Sequence, residues 1–330
     1  MKKFQVVGIG NAMVDVLARA DDAFLAEAGI GKGIMQLIDM DRAVSLYARV
    51  GPAKEISGGS AANTIAGIAH LGGRTAYVGK VKDDQLGAIF AHDLRAQGAV
   101  YETALAAKTE EAETGRCIVI VTPDGERSMN TYLGVTEFLS PDDIDDAQMA
   151  DAEWIYLEGY RFDGPDSHAA FAKAIAACKG AGGKVSITLS DPFCISRHRD
   201  AFRDMIKDHV DLLFCNRAEM LSMYETEDFD AALAQAASEV AIVACTDSEH
   251  GVHIVSGGAR WQVPAVPTQI VDATGAGDLF AGAFLWGLSN GHDLETCGKM
   301  GNLAASEVIS HIGARPEADL KALFADHGLL

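Results

Sequence analysis

The apolar and polar positions divide the chain into two kinds of segment. Phe4 to Ile9 is a short, mostly apolar, β-rich run, which predicts a buried parallel strand. It ends in Gly8-Ile9-Gly10-Asn11-Ala12-Met13 and continues as VDVLARA, which alternates like a strand and carries Asp15 near its start. Residues Asp21 to Asp39 hold a short amphipathic helix, DDAFLAEAGI, followed by GKGIMQLID. There Met35, Leu37 and Ile38 suit either a core or a pocket wall. TAYVGKVKDDQLGAIFAHDLRAQGA reads as strand, loop and helix. From Val100 to Tyr132 the period shortens to two, with a hairpin expected at Pro123-Asp124-Gly125-Glu126. No helix interrupts these strands, so they predict a small antiparallel sheet, with residues 12–55 supplying its other strands. From Trp154 onward strands and helices alternate: WIYLEGY, HAAFAKAIAACKGAGG, KVSITLSDP, a helix to His209, VDLLFCN, VAIVACT, GVHIVS and a long helical tail. That alternation predicts right-handed crossovers and a mostly parallel sheet covered on both faces. The expected organisation is an α/β domain from residues 1–11, 56–99 and 133–330, with a β-rich lid from 12–55 and 100–132. No internal repeat, low-complexity tract or linker stands out.

Two glycine turns lead into helices of small or apolar residues. In DATGAGDLFAGAFLWGLSN, Gly275, Ala276 and Gly277 have little side chain, so their N–H groups can approach an anion closely. A helix start adds unpaired donors and the positive end of the helix dipole. Asp278 lies in the first turn, and Leu279, Phe280, Ala283, Phe284, Trp286 and Leu288 make the rest apolar on nearly all sides. A carboxylate beside an anion loop repels the anion unless it has a task there. Taking a proton from a hydroxyl that attacks a phosphoryl group is such a task. An isolated Asp in a first turn would only cap the helix; the three small residues before it favour the chemical reading. The second turn, ISGGSAAN followed by TIAGIAHLGG, puts Asn63 about one turn into a helix, where its amide can reach back over the helix start. Gly59 and Asn63 are expected to contact substrate hydroxyls, while Ser60 to Ala62 could equally serve tight helix packing. Asp15 follows a Gly-Asn at the end of a buried strand, where open α/β sheets place ligands. Asn11 is a weaker candidate of the same kind.

Charge and cysteine content narrow the picture. Lys and Arg total 27 against 47 Asp and Glu, a formal net charge of −20. That argues against nucleic acid and anionic membrane surfaces as partners. It leaves nucleotides open, since local loops bind them. The six cysteines form no Cys-x-x-Cys pair, which disfavours zinc, and they read as reduced core thiols. The N-terminal apolar run is too short and too interrupted for a signal peptide, and no run is long enough to span a bilayer. The expected location is the cytoplasm. A Walker A loop is absent.

Asp272, Thr274, Gly275, Ala276, Gly277 and Asp278 resemble the D-T-x-G-A-G-D signature of the ribokinase-like (PfkB) family of sugar and nucleoside kinases, with Ala273 where that family often has Thr. The resemblance implies a three-layer α/β/α ribokinase-like sheet, mostly parallel, with a small antiparallel β lid over the substrate. It makes the Gly275–Gly277 backbone an anion hole and Asp278 the catalytic base. It matches Asp15 to a substrate-hydroxyl carboxylate and Gly59 with Asn63 to a G-G-x-x-x-N substrate motif. Asn216 and Glu219 match an N-x-x-E motif that positions Mg²⁺, mostly through water; read alone, they suit a helix cap with an exposed Glu equally well. Thr246 and Gly251 match a T-x-G-x-x-G turn against the nucleotide, with Ser248 where Gly is usual, which leaves that backbone contact open. Asn302 and its neighbours would wall the adenine of ATP. Gly313 to Arg315 match the usual end of the family. K⁺ is a further candidate cofactor beside ATP and Mg²⁺, because Asp272 and Thr274 lie where some relatives bind it.

Three stretches resemble adenosine kinases in particular: the Gly-Asn-x-x-x-Asp start, WIYLEGYRFD, and ITLSDPFCISRHRDAFRDMIKDHVDLLFCNRAE. They imply phosphorylation of the primary 5′-hydroxyl of a nucleoside, adenosine first, to AMP with release of ADP. Cys117, Met129, Tyr160 and Phe162 could line an apolar base slot or be plain core. Arg161 stands where an aromatic often follows the glycine; it could stack on a purine or contact a phosphate or carboxylate. A carboxylate contact could point to a sugar acid such as 2-keto-3-deoxygluconate, and the alternative to a nucleoside kinase is a family sugar kinase acting on that acid, ribose or a ketohexose. A nucleotide-binding regulator without turnover is a rival that the Asp278 carboxylate disfavours. A lid sheet with an exposed edge could pair with a second copy, and a monomer fits equally.

Overall fold

The computed structural model describes residues 2–330, which build two sheets. In chain order the strands are β1 (Phe4–Ile9), β2 (Met13–Arg19), β3 (Met35–Leu37), β4 (Ala53–Gly58), β5 (Thr75–Val78), β6 (Val100–Tyr101) and β7 (Gly115–Val121). They continue as β8 (Arg127–Tyr132), β9 (Ala152–Glu158), β10 (Lys184–Thr188), β11 (Leu212–Asn216), β12 (Ile242–Thr246), β13 (Val252–Ser256) and β14 (Ala259–Val263). Nine of them form one sheet in the order β14-β13-β12-β11-β10-β9-β1-β5-β6. It is parallel except at one edge, where β13 and β14 return antiparallel. Its inner strands are apolar on both faces because both faces are covered. Ile155, Leu157, Ile187, Leu213 and Val243 meet Phe171, Phe202 and Leu233 of the helices Ser167–Gly180, Pro192–His209 and Phe229–Glu239. On the opposite face Val6, Tyr156, Phe214 and Ala244 meet Ile65, Phe284 and Leu303 of Ser60–His70, Ala276–Ser289 and Leu294–Val308.

The helix Ala276–Ser289 packs against both Ser60–His70 and Leu294–Val308 as well as the sheet. That surrounds it, so Leu279 to Gly287 are all buried, as its uninterrupted apolar sequence predicts. Close approach depends on a missing side chain: a Cβ at Gly282 would lie 2.9 Å from the Thr64 carbonyl oxygen. The six cysteines are free and buried. Among the described residues no helix is long and apolar enough to cross a membrane.

The smaller sheet has the order β3-β8-β7-β2-β4 and is mixed, a correction to the antiparallel sheet expected from sequence. β7 with β8 and β2 with β4 are antiparallel, but β2 pairs parallel with β7, and β3 parallel with β8. The cause is long-range: β2 and β3 flank, one on each side, a β7–β8 hairpin about a hundred residues downstream. Strand placement also departs from the expected boundaries at two points. β4 runs on to Gly58, and Val100–Tyr101 joins the large sheet beside β5. A helix, Met40–Tyr47, precedes β4. The hairpin turn lies where Pro123-Asp124-Gly125 predicts it. One face of the small sheet is packed with Val16, Ile118 and Ile120 against Leu25 and Leu46; the other presents Met13, Cys117, Val119 and Met129.

β1 connects toward β5 in one direction, while the chain after β9 builds the sheet in the other. Connections leaving β1 and β9 therefore diverge at the carboxyl ends of the strands and leave a crevice. The small sheet stands over it.

Candidate active site

A cavity of about 960 Å³ runs along this crevice between the two sheets. Most candidate residues from the sequence line it; Arg161, Phe162 and Asp272 do not.

Its centre is the start of the helix Ala276–Ser289. Gly275 caps that helix with φ +83°, a left-handed conformation suited to glycine, and a Cβ there would lie 2.6 Å from Ala314 Cβ. Gly277 is different. A Cβ there would meet no protein atom within 4 Å, so nothing in the fold requires glycine. What its absent side chain preserves is free space at the helix N-terminus, beside unpaired N–H donors. Asp272 is fully buried and shapes the loop. Its Oδ1 accepts from Thr274 N (2.9 Å) and Thr274 Oγ1 (2.6 Å), and its Oδ2 accepts from Gly313 N (2.9 Å).

Asp278 projects from the first turn into the cavity. Ser60 Oγ donates to its Oδ1 at 2.6 Å and Asn63 Nδ2 to its Oδ2 at 2.9 Å. The second glycine turn thus serves the first: Ser60 and Asn63 share one face of their helix. Ala61 and Ala62 are buried packing, so the two readings of Ser60 to Ala62 divide residue by residue. Burial raises the Asp278 pKa, against the Ser60 and Asn63 hydrogen bonds that lower it.

Of the other carboxyls that border the cavity, Asp15, Glu158 and Glu219 are buried and raised. Burial pushes Asp15 up to about 7, against the Arg315 guanidinium. Glu158 closes β9, accepts from Ala61 N (2.9 Å) and Asn11 N (3.3 Å), and is pushed by burial to about 7. Glu219 is buried, not exposed as a plain cap would be, and burial pushes it too to about 7. It does form a capping box: Asn216 Oδ1 accepts from Glu219 N (2.8 Å), while Glu219 accepts from Asn216 N (3.0 Å) and Nδ2 (2.6 Å). Four carboxyls raised by burial around one cavity make it the candidate reactive site.

One end of the cavity is apolar. β3, β7 and β8 supply Met35, Leu37, Cys117, Val119, Met129 and Thr131, with Asp15 beside Cys117 on the same sheet and Tyr160 also on the wall. The other end lies beyond Asp278, at Thr246, Ser248, Gly251, Phe280, Asn302 and Ile309. Ser248, which replaces the usual glycine, adopts φ +47°, the backbone conformation a glycine would take there. Gly251 has φ +88° and abuts the Val263 carbonyl. Asn302 Nδ2 donates to the carbonyls of Val263 (3.1 Å) and Pro264 (2.9 Å), which fixes the wall after β14.

Arg161 is the correction. It is 1% exposed and lies beneath the cavity, where Asn11, Thr136, Leu139 and Ser167 take its hydrogen bonds. The short turn Gly159–Asp163 sends successive side chains apart: Tyr160 reaches the cavity while Phe162 packs in the core with its ring 4.2 Å from that of Phe202. Neither Arg161 nor Phe162 can wall a ligand.

Sequence reasoning missed Glu158, Arg127 and the placement of Arg315. Arg127, on β8, donates from Nη1 to the Ala273 carbonyl at 2.9 Å and so ties the small sheet to the loop that leads into Gly275. Arg315 donates to Ala62 O (2.7 Å) and Ser57 O (3.2 Å). A lone Glu ending an apolar strand, and a lone Arg in an alternating one, were the available signals.

A glycine-capped helix start, a buried carboxylate held by two side chains and a roofed, two-ended cavity are the arrangement expected of a phosphotransferase acting on a small alcohol. Residues 29–320 match the model of the pfkB family of carbohydrate kinases, and the chain belongs to that family. An adenosine kinase from Sinorhizobium meliloti is 49% identical in sequence and superposes with a TM-score of 0.95 over 98% of this chain and 99% of its own. A protein from Rhizobium etli described as a probable sugar kinase is 47% identical, with a TM-score of 0.97 and full coverage of both chains. The adenosine kinase of Saccharomyces cerevisiae is 26% identical over 93% of this chain and 95% of its own.

Proposed function

We propose that this enzyme transfers the terminal phosphoryl group of ATP to the 5′-hydroxyl of a nucleoside, adenosine first, yielding AMP and ADP. The observation that carries the nucleoside reading is the apolar roof at the acceptor end. Met35, Leu37, Cys117, Val119 and Met129 give a heterocyclic base a dry surface, whereas a free sugar has no use for one. The similarity to the Sinorhizobium meliloti adenosine kinase supports it.

In this reading Asp278 accepts the proton of the attacking hydroxyl, and Ser60 and Asn63 hold its carboxylate in place. The amides of Gly275 to Gly277 face the charge on the transferring group; one such donor is typically worth about 3 kcal/mol of barrier. Asp15, Gly59, Asn63 and Asn11 hold the acceptor so that its hydroxyl meets the phosphorus in line. Thr246, Ser248, Gly251 and Asn302 wall the nucleotide. The small sheet acts as the lid that keeps water from the transfer. Among the described residues no group of three or more His, Cys, Asp or Glu could hold a metal. Mg²⁺ would therefore arrive on the nucleotide and meet Glu219 and Asn216 through water, which suits a single carboxylate at the cavity edge. When bound it neutralises charge on the phosphates.

The test is ADP release from MgATP with adenosine, inosine, ribose, fructose and 2-keto-3-deoxygluconate as separate acceptors. Turnover confined to the nucleosides, adenosine fastest, supports the proposal. Turnover confined to a free sugar or sugar acid overturns the substrate and leaves the phosphotransferase standing.

A further inference from the structure

We infer that Arg161 is a positioning residue that locks the Asn11 carboxamide with its NH₂ group facing the acceptor end of the cavity. This position therefore reads a hydrogen-bond acceptor on the substrate: a hydroxyl lone pair, a ring oxygen or an unprotonated ring nitrogen. The inference rests on the acceptor end being where the proposed function puts it.

Arg161 is the largest fully buried side chain among the described residues. Its Nη1 donates to Asn11 Oδ1 (3.0 Å) and to the Thr136 carbonyl (2.6 Å). Its Nη2 donates to Ser167 Oγ (2.8 Å) and to the Leu139 carbonyl (3.3 Å), so only Nε is without a partner. Room for this guanidinium is built in: a Cβ at Gly164 would lie 2.6 Å from Nη2. A buried cation normally costs stability unless its donors are satisfied; here four acceptors take its hydrogen bonds, and Glu158 is the largest of the acidic charges that favour its charged form.

The consequence for Asn11 follows from donor and acceptor chemistry. A guanidinium carries donors only, and a carboxamide carries an acceptor at one end and donors at the other. The Arg161 contact consumes the oxygen end. A flipped amide would set its NH₂ against the guanidinium, donor against donor in a buried place, leaving both unsatisfied. The backbone is held as well, by Asn11 N donating to Glu158 Oε2 (3.3 Å) and Ala12 N to Thr136 Oγ1 (2.9 Å). Asn11 is 2% exposed yet lines the cavity, and its Nδ2 has no protein partner among the described residues. Glu158 thus grips the backbone and Arg161 the side chain of one cavity residue, and the free end is a donor.

The experiment is a double-mutant cycle of Arg161→Met and Asn11→Ala. It is read as KM and kcat for whichever acceptor of the panel the wild-type enzyme phosphorylates, so a sugar acceptor overturns the nucleoside reading without touching this one. Arg161→Met should raise the acceptor KM about tenfold, the value of one hydrogen bond at the upper end of its usual range, with little change in the KM for ATP. In the Asn11→Ala background the same substitution should add less than about twofold, because its effect passes through a group already gone. Equal fold-increases in both backgrounds, or no increase in the wild-type background, overturn the inference. If Arg161→Met does not fold, Asn11→Asp decides. It keeps an oxygen for Arg161 and replaces the NH₂ with a second oxygen, so the acceptor KM should rise at least as much as in Asn11→Ala. An unchanged KM overturns the inference.

Discussion

Asn63 Nδ2 lies 2.9 Å from Asp278 Oδ2, so the turn at Gly59 holds a carboxylate in the first turn of the helix Ala276–Ser289, more than two hundred residues away. This hydrogen bond lowers the Asp278 pKa, against the burial that raises it. Removing it lets burial act with less opposition, so the carboxyl holds its proton to higher pH. A base must be deprotonated to work. For Asn63→Ala the acid limb of kcat/KM should therefore move to higher pH relative to wild type, with kcat at the plateau reduced by roughly tenfold. The full pH–rate profile is the measurement, and an acid limb moving the other way contradicts the hydrogen bond's role.

Gly275 and Gly277 should separate stability from chemistry. Gly275→Ala puts a Cβ on Ala314 at φ +83°, which should lower stability by about 1–3 kcal/mol. Gly277→Ala meets no protein atom, so its melting temperature should match wild type while turnover falls about a hundredfold. Thermal melting beside steady-state kinetics distinguishes them; a normal rate in Gly277→Ala removes the anion from that helix start.

Arg127 links the small sheet to the loop that leads into Gly275 through the Ala273 carbonyl, and its charge lowers the pKa of Asp278. Arg127→Met should cut kcat/KM by about tenfold to a hundredfold and move the acid limb upward, in the same direction as Asn63→Ala. Arg127→Lys should recover the acid limb better than the rate, since it keeps the charge but not the guanidinium geometry. Kinetics of the two variants across pH check this.

Stability should also report the buried carboxyls. Burial raises Glu158 from 4.5 to about 7. A carboxyl whose folded pKa is raised contributes stability that is present below its unfolded value and is lost as pH rises through its folded value. Glu158→Gln keeps an oxygen for Ala61 N and Asn11 N without the charge. The melting temperature of the variant relative to wild type should therefore climb between about pH 4.5 and about pH 7 and level off above. A constant difference across that window contradicts a raised Glu158.

The site was legible in sequence where its parts are local. Gly275 to Asp278 are consecutive, so anion loop and carboxylate arrive together; Gly59 and Asn63 sit on one helical turn. The parallel layers followed from alternation, since each buried strand is a separate apolar run. What stayed hidden depends on contacts far apart in the chain. The parallel pairing of β2 with β7 leaves no periodic trace, because each strand alternates as it would in an antiparallel sheet. Arg161 read as a ligand group because it stands where an aromatic often follows the glycine. Only the turn at Gly159–Asp163, and four acceptors drawn from residues 11, 136, 139 and 167, explain its burial. Glu158 escaped notice for the same reason: its partners Asn11 and Ala61 belong to other elements.

The most direct test of the account is the turnover of Asp278→Asn with MgATP and adenosine, measured alongside the affinity for each ligand. Asn keeps the size of Asp278 and can still bond Ser60 and Asn63, so both ligands should bind as in wild type. Turnover should fall by about a hundredfold to ten-thousandfold, the usual contribution of a positioned base. Near-normal turnover with both ligands bound would contradict the assignment of Asp278 as the base and, with it, the chemical centre of the site.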